Sequence, residues 1–167
     1  MAKLFTASSG VPSRMKLLSA TGIFFSIAQT ALILGARPAS WRTMSALLLY
    51  IGALSLFWWA VPQAEKSRLN IAFTDKKPET LLADGPYRYV RHPFYASYLL
   101  YWVAGALISD WMWASVVVMG SFYLAALRQE EESFRSSHLA DCYETYKKRT
   151  GALVPLWYVS KRKQCGP

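Results

Sequence analysis

The sequence predicts an all-α integral membrane helical bundle of about four transmembrane helices, with a polar loop and a carboxy-terminal helix gathered on one membrane face. Three observations carry this expectation. Of the 167 residues, 53% are hydrophobic and only 17% are charged, the mean hydropathy is +0.15, and the apolar residues come in blocks. Four of these blocks are free of charge and long enough, or nearly so, to cross a bilayer. Finally, almost all lysines and arginines fall in alternate connecting segments. A formal net charge of +9 suits either nucleic acid or an anionic membrane face. The blocked hydrophobicity decides for the membrane, so anionic lipid is the expected partner of the basic face and nucleic acid is not.

The elements follow in order. Residues 1–16 are a polar leader ending in Arg14 and Lys16. Residues 17–36 carry no charge over 20 positions, enough at ~1.5 Å per residue to cross ~30 Å of hydrocarbon. A signal peptide has a similar basic start but a shorter apolar core of about 7 to 15 residues, so a retained first helix is expected. After a link holding Arg37 and Arg42 comes a second span, 43–61, with Trp58 and Trp59 at its interfacial end and Pro62 closing it. Residues 63–93 form a polar loop with six Lys/Arg and four Asp/Glu. Two further apolar runs, 94–109 and 111–127, flank Asp110, a link that permits only a tight hairpin between antiparallel helices. Residues 128–149 are charged and are expected to continue the last helix into water. The tail to 167 is aromatic and then basic, as suits a membrane surface. The whole chain, 1–167, reads as one domain.

Charge sets the orientation. With four spans, the leader, the 63–93 loop and the carboxy-terminal tail share one side and hold 3, 6 and 8 Lys/Arg, against only Arg37 and Arg42 opposite. Basic residues favour the cytoplasmic face, so both termini and the central loop are expected there. Cys142 and Cys165 have neither metal-ligand spacing nor a disulfide framework and read as unpaired thiols.

The chain is organised around 79–97, where turn formers, arginines, a histidine and tyrosines crowd against the mouth of an apolar run. Asp84-Gly85-Pro86 predicts a turn. Pro93 disfavours helix at His92 but fits the first turn of a helix beginning there. A polar, ring-rich loop pinned against a helix mouth is the candidate site.

Here a resemblance enters. Gly85-Pro86-Tyr87-Arg88-Tyr89-Val90-Arg91-His92-Pro93-Phe94-Tyr95 resembles the isoprenylcysteine carboxyl methyltransferase family, related to the phospholipid methyltransferases. Arg128-Gln129-Glu130-Glu131-Glu132 is similar to the Arg-then-acidic end of that family's last helix. Tyr143-Glu144-Thr145-Tyr146-Lys147-Lys148-Arg149, with Pro155 beyond, is similar to its tail. The likeness covers roughly residues 60–158. Two departures are small: Ser97 stands where the family usually has Gly, and Leu139-Ala140 where it has Phe-Gly.

The resemblance implies an integral membrane enzyme that uses S-adenosyl-L-methionine without a Rossmann sheet, and no strand–GxGxxG–helix unit occurs here. By match of position, Glu79, Thr80, Leu81 and Leu82 would line the cofactor. Tyr87, His92, Pro93, Phe94 and Tyr95 would enclose it, and Glu131 or Glu132 would bind its ammonium. Arg128 would face the methyl acceptor. The implied acceptor is the carboxylate of an isoprenylated cysteine or a similar lipid-borne acid.

Read by themselves, the same residues leave alternatives open. His92 suits a ligand or merely an interfacial helix start, and Arg91 suits lipid phosphate equally well. Arg128, Glu131 and Glu132 share one helical face at i, i+3 and i+4, in the weaker order for an ion pair. Three glutamates at the carboxy-terminal end of a span also oppose the helix dipole, which points to a cationic ligand. Tyr143 suits an amphipathic helix lying on the membrane, with Tyr146 and Arg149 supporting the site, Arg149 on the substrate side. A carboxylate is already a nucleophile at neutral pH and needs only a cation such as Arg128 to orient it, in a two-pronged way. A protonated ethanolamine would need a base, for which His92 is the candidate. The competing expectations are a phospholipid N-methyltransferase, a sterol-reductase-like enzyme using NADPH, and a non-catalytic membrane scaffold.

Overall fold

The computed structural model describes residues 13–35, 41–66 and 80–156. Five helices follow one another there: α1 (Ser13–Gly35), α2 (Trp41–Lys66), α3 (Pro93–Ile108), α4 (Trp113–Arg135) and α5 (Ala140–Lys147). The segments Lys16–Gly35, Trp41–Glu65 and Asp110–Arg135 are long and apolar enough to cross a membrane. The apolar α3 has only 16 residues, about 24 Å at ~1.5 Å per residue. The protein is an all-α membrane helical bundle.

In lipid, helices gain little from hydrophobicity alone, and close backbone approach takes over. The buried residues of α2 show this: Ala46, Ala53, Ala60 and Ala64, all alanine. Between α3 and α4 the packing is aromatic and sulfur-rich, through Tyr95, Trp102, Met112, Met119, Tyr123 and Leu127. Trp102 Nε1 donates to Tyr123 Oη at 3.0 Å, so the buried indole is satisfied. Contacts of α1 include the Phe25 ring edge-on to Trp102, Gly22 close to Met119, and the Gln29 amide donating to Tyr50 Oη at 2.6 Å.

The bundle is latched at one end by Arg42. Its Nε donates to the Leu107 carbonyl at 2.8 Å and its Nη2 pairs with Asp110. This joins the start of α2 to the α3–α4 hairpin, a tight turn through Asp110–Met112. The opposite end carries the polar loop, the acidic end of α4, and α5.

Three expectations are corrected here. Pro62 does not close α2, which runs on to Lys66 with the proline inside it. The proline forfeits a hydrogen bond to the Trp58 carbonyl, but Ala60 and Ala64 bury on either side of it. Beyond it Gln63 rests against Gly85, where an added Cβ would lie 3.0 Å from Gln63 Cγ. Gly85 has φ 59°, a conformation that favours glycine, and it opens the short 3-10 turn Gly85–Arg88.

The charged extension of α4 is likewise not one helix to residue 149, because α4 stops at Arg135. Ser136 and Ser137 donate to the carbonyls of Ser133 and Phe134, and Ser137 Oγ accepts from the Leu139 amide. Such local bonds offer the backbone an alternative to helix. The chain therefore folds back into α5, and the third correction follows from it. Tyr143 is not laid on a membrane surface; it is 2% exposed, its ring stacked on Phe134 at 4.7 Å.

Candidate functional site

The loop before α3 is held from both sides. Tyr87 N–H donates to the Asp84 carbonyl, and Tyr89 and Val90 N–H donate to Pro86, which makes the turn rigid. Val90 then pairs with Gly151 in a single parallel bridge. Arg91 N–H donates to the Gly151 carbonyl at 2.8 Å and His92 N–H to that of Ala152 at 3.1 Å. With Pro93 as the first helical residue, His92 is the last non-helical position, at φ −125° and ψ 68°. Its imidazole is buried against the end of α4.

On α4 the buried stripe Met119, Tyr123, Ala126 and Leu127 steps by threes and fours. The same period brings Glu130 and Glu131 round to the loop. Glu130 accepts from Tyr95 Oη at 2.5 Å, and its other oxygen lies 3.3 Å from His92 Nδ1. Glu131 accepts from Arg91 Nε and Nη2 at 3.2 and 2.9 Å and from Lys147 Nζ at 3.0 Å. His92 Nε2 is 3.7 Å from Glu131, is buried, and has no hydrogen-bond partner among the described residues.

Electrostatics distinguish the members. Burial opposes a charged His92, but the hydrogen bond to Glu130 and the carboxylate of Glu131 outweigh it and raise its pKa above the ordinary value. Burial, then the charge of Glu130, pushes the Tyr87 phenol up, and burial with the neighbouring Tyr143 does the same for Tyr146. Tyr146 therefore keeps its proton and donates it to the Tyr87 carbonyl at 2.5 Å.

The structure brings His92, Tyr95 and Glu131 together, with buried Pro93 beneath them. Tyr87 is buried just before them in the turn and is joined to α5 through its carbonyl. Phe94 turns away to stack edge-on with Phe57 of α2 at 5.4 Å. Thr80 is exposed, and Leu81 and Leu82 are half-buried ahead of the turn. Glu79 lies outside the described residues, as does Cys165. Arg128 is exposed. The Glu132 side chain, 72% exposed, lies 3.7 Å from Arg135. Arg149 is half-buried at the end of α5, its amide bonded to the Tyr146 carbonyl. Arg91 points inward to Glu131, with its side chain 8% exposed, and so does not face lipid phosphate.

Sequence reasoning passed over Glu130. Counting i+3 and i+4 from Arg128 selects Glu131 and Glu132. Counting from the apolar stripe at 119, 123, 126 and 127 selects Glu130 and Glu131, and that register places side chains against α3.

Below the polar cluster a groove of about 320 Å³ opens between α3 and α4, lined by Tyr95, Leu99, Val117, Gly120, Leu124 and Leu153 among others. Tyr95 belongs to both: its ring lines the groove while its hydroxyl holds Glu130. A larger hollow of about 710 Å³ along α1, between Ser19 and Leu34, has no ionisable group in its walls. The half-exposed Glu130 carboxylate beside an unpartnered, buried His92 Nε2 suits a polar ligand with an amino group and hydrogen-bonding heteroatoms. Among the described residues no group of three or more potential metal ligands occurs.

Comparison with known proteins converges on the same region. Residues 41–144 match the family described as phospholipid methyltransferase. Over 102 residues the chain is 30% identical to the protein-S-isoprenylcysteine O-methyltransferase of Schizosaccharomyces pombe (strain 972 / ATCC 24843), a match covering 58% of this chain and 42% of the relative. The chain thus spans less than half the length of the curated relative it matches. No solved structure matches it. The matched segment contains the His92–Tyr95–Glu130–Glu131 cluster and most of the groove, and this chain belongs to the phospholipid methyltransferase family.

Proposed function

We propose that this protein is an S-adenosyl-L-methionine-dependent membrane methyltransferase acting on a lipid-borne carboxylate, such as that of an isoprenylated cysteine. The observation that carries the reading is the double duty of Tyr95, which joins the acidic cluster to the apolar groove. A polar cofactor and a lipid chain have adjoining berths there. The cofactor, when bound, supplies an electrophilic methyl group on a sulfonium.

Glu130 is the better ammonium acceptor of the two glutamates facing the loop. Glu131 is already committed to Arg91 and Lys147, whereas the hydrogen-bond-range partners of Glu130 among the described residues are Tyr95 and His92, and it is 34% exposed. His92 Nε2 offers a hydrogen bond to the same ligand. Tyr87, Pro93 and Tyr95 wall it off from water, which strengthens each polar contact inside. Thr80, Leu81 and Leu82 precede the turn, and the family likeness assigns them to the cofactor.

The acceptor chemistry is chosen by proton inventory. The Glu130 and Glu131 carboxylates favour the protonated form of His92, which tells against it as the base for an ethanolamine ammonium. A carboxylate with pKa near 4 needs no base, only a cation. Val117, Ser121 and Leu124 of the groove wall step by four and three along α4, and Arg128 is the next residue of that row. Its fork can bind the acceptor carboxylate at the groove mouth, with Arg149 of the tail as a further cation for the substrate. The lipid chain enters sideways between α3 and α4.

The distribution of basic residues supports a cytoplasmic site in a four-pass arrangement with both termini cytoplasmic. The relative's printed name, protein-S-isoprenylcysteine O-methyltransferase, supports the oxygen acceptor, and the family description supports a phospholipid one. The test is transfer of a labelled methyl group from S-adenosyl-L-methionine in purified membranes supplied with farnesylcysteine, phosphatidylethanolamine or neither. Base-labile label on farnesylcysteine is the expected result. Label on the ethanolamine headgroup alone overturns the oxygen acceptor, and no binding of S-adenosyl-L-methionine by the detergent-solubilised protein overturns the enzyme reading.

A further inference from the structure

Beyond the residues placed against the two ligands, one side chain organises the ground under both. Arg91 is buried and spends its fork on protein groups. Nε and Nη2 bind Glu131 of α4, while Nη1 donates to the carbonyls of Lys147, at 3.3 Å, and Thr150. Its own amide donates to Gly151 and the next amide, that of His92, to Ala152. Every partner beyond Glu131 lies in the stretch 147–152, which crosses beneath the loop as a strap. The residue after Ala152 is Leu153, which lines the groove between α3 and α4.

We propose that Arg91 is a positioning residue that ties this strap to the loop, so that one clamp sets His92 on the polar side and the Leu153 wall on the lipid side. The inference rests on the reading of the polar cluster and the groove as the two halves of one site. The chemistry requires an arginine. Three donor directions reach a carboxylate and two carbonyls at once, which a lysine ammonium on a flexible stem does not reproduce in the same plane. The strap also has a tight path of its own, since a Cβ on Gly151 would fall 1.7 Å from the Val154 carbonyl oxygen. Loss of the Arg91 anchor is expected to propagate along the strap, from the Ala152 carbonyl that accepts from the His92 amide to Leu153.

The experiment is amide hydrogen exchange on the full chain in lipid nanodiscs, wild type against Arg91→Lys, together with calorimetric binding of S-adenosylhomocysteine. The amides of residues 91 and 92 report the strap directly, because their acceptors are Gly151 and Ala152. Their protection is expected to fall about tenfold in Arg91→Lys while that of Trp102 and Ala104 in mid-α3 is unchanged. Unchanged protection at 91 and 92 overturns the proposal, and so does a uniform loss that includes mid-α3. S-adenosylhomocysteine affinity is expected to fall severalfold in Arg91→Lys; an affinity equal to wild type overturns the coupling to His92. A second variant, Leu153→Trp, is expected to keep wild-type S-adenosylhomocysteine affinity while raising the KM for farnesylcysteine about tenfold. An unchanged KM removes Leu153 from the acceptor wall. If wild-type protein binds no S-adenosylhomocysteine, the enzyme reading fails, while the exchange data still decide whether Arg91 holds the strap.

Discussion

Tyr95 of α3 reaches Glu130 of α4, 35 residues further along the chain, through a 2.5 Å hydrogen bond. The hydroxyl orients the carboxylate beside His92 Nδ1, and the Glu130 side chain stays 34% exposed, open to a ligand. A hydrogen bond to a charged group is worth about 1.5–3 kcal/mol. Tyr95→Phe is therefore expected to weaken S-adenosyl-L-methionine binding by about tenfold through misplacement of Glu130. Glu130→Gln, which removes the charge, should lower affinity by about a hundredfold. Isothermal titration of the detergent-solubilised protein checks both; equal affinity in Glu130→Gln and wild type would sink the role given to this residue.

The neighbouring glutamates separate stability from surface charge. Glu131 accepts from Arg91 and Lys147 and its side chain is 12% exposed, whereas Glu132 is 72% exposed. Removing one partner of a buried pair strands the other, typically at a cost of about 3–5 kcal/mol. Glu131→Gln should therefore lower the thermal midpoint by many degrees. Glu132→Gln should change stability by no more than about 0.5 kcal/mol. Thermal unfolding followed by circular dichroism in one detergent distinguishes them.

How much of this was legible in the sequence depends on whether a residue's role is local. Gly85, Pro86 and Pro93 act through their own dihedral angles, so the turn and the start of α3 can be read from them directly. The apolar runs are equally direct, because hydrocarbon thickness is counted in residues. Pro62 misleads because its local cost is overridden by distant packing of Ala60, Ala64 and Gln63. Ser136 and Ser137 break α4 with no glycine to announce it. Glu130 is hidden by its neighbours: three glutamates in a row differ only in helical phase, and phase is visible only when counted from the buried stripe. Arg91 has an ordinary arginine's look in the sequence, since its partners lie 40 to 59 residues away.

His92 gives the protein a pH dependence with a definite sign. Its pKa is raised in the folded chain, the hydrogen bond and charges of Glu130 and Glu131 overcoming burial. The folded state thus holds the proton more tightly than the unfolded state, whose histidine titrates near 6.5. This contribution is fully present below about pH 6.5 and is lost as pH rises through the higher folded value. The unfolding midpoint of wild type is expected to fall across that window relative to His92→Gln, in which the step should vanish. Parallel curves for the two proteins would show that His92 gains no proton affinity from the glutamates.

The groove between α3 and α4 predicts a separation of the two ligands. Gly120 lines it, and a Cβ there would meet Leu99 Cδ1 at 3.7 Å, an ordinary contact. Gly120→Ala should therefore fold normally, and helix propensity adds a small gain of at most about 1 kcal/mol. Gly120→Leu projects three carbons more than alanine into a space of about 320 Å³, the one the proposed function assigns to a lipid chain. Because the polar cluster lies at the groove's end, through Tyr95 and Glu130, the leucine is expected to leave the proposed cofactor berth untouched. The expected outcome is S-adenosyl-L-methionine affinity equal to wild type with a KM for the prenylated acceptor raised by about tenfold or more. Measuring both constants on the same preparation decides the matter. A matching loss of cofactor affinity would show that the helices had been pushed apart, and an unchanged KM would show that the lipid chain lies elsewhere.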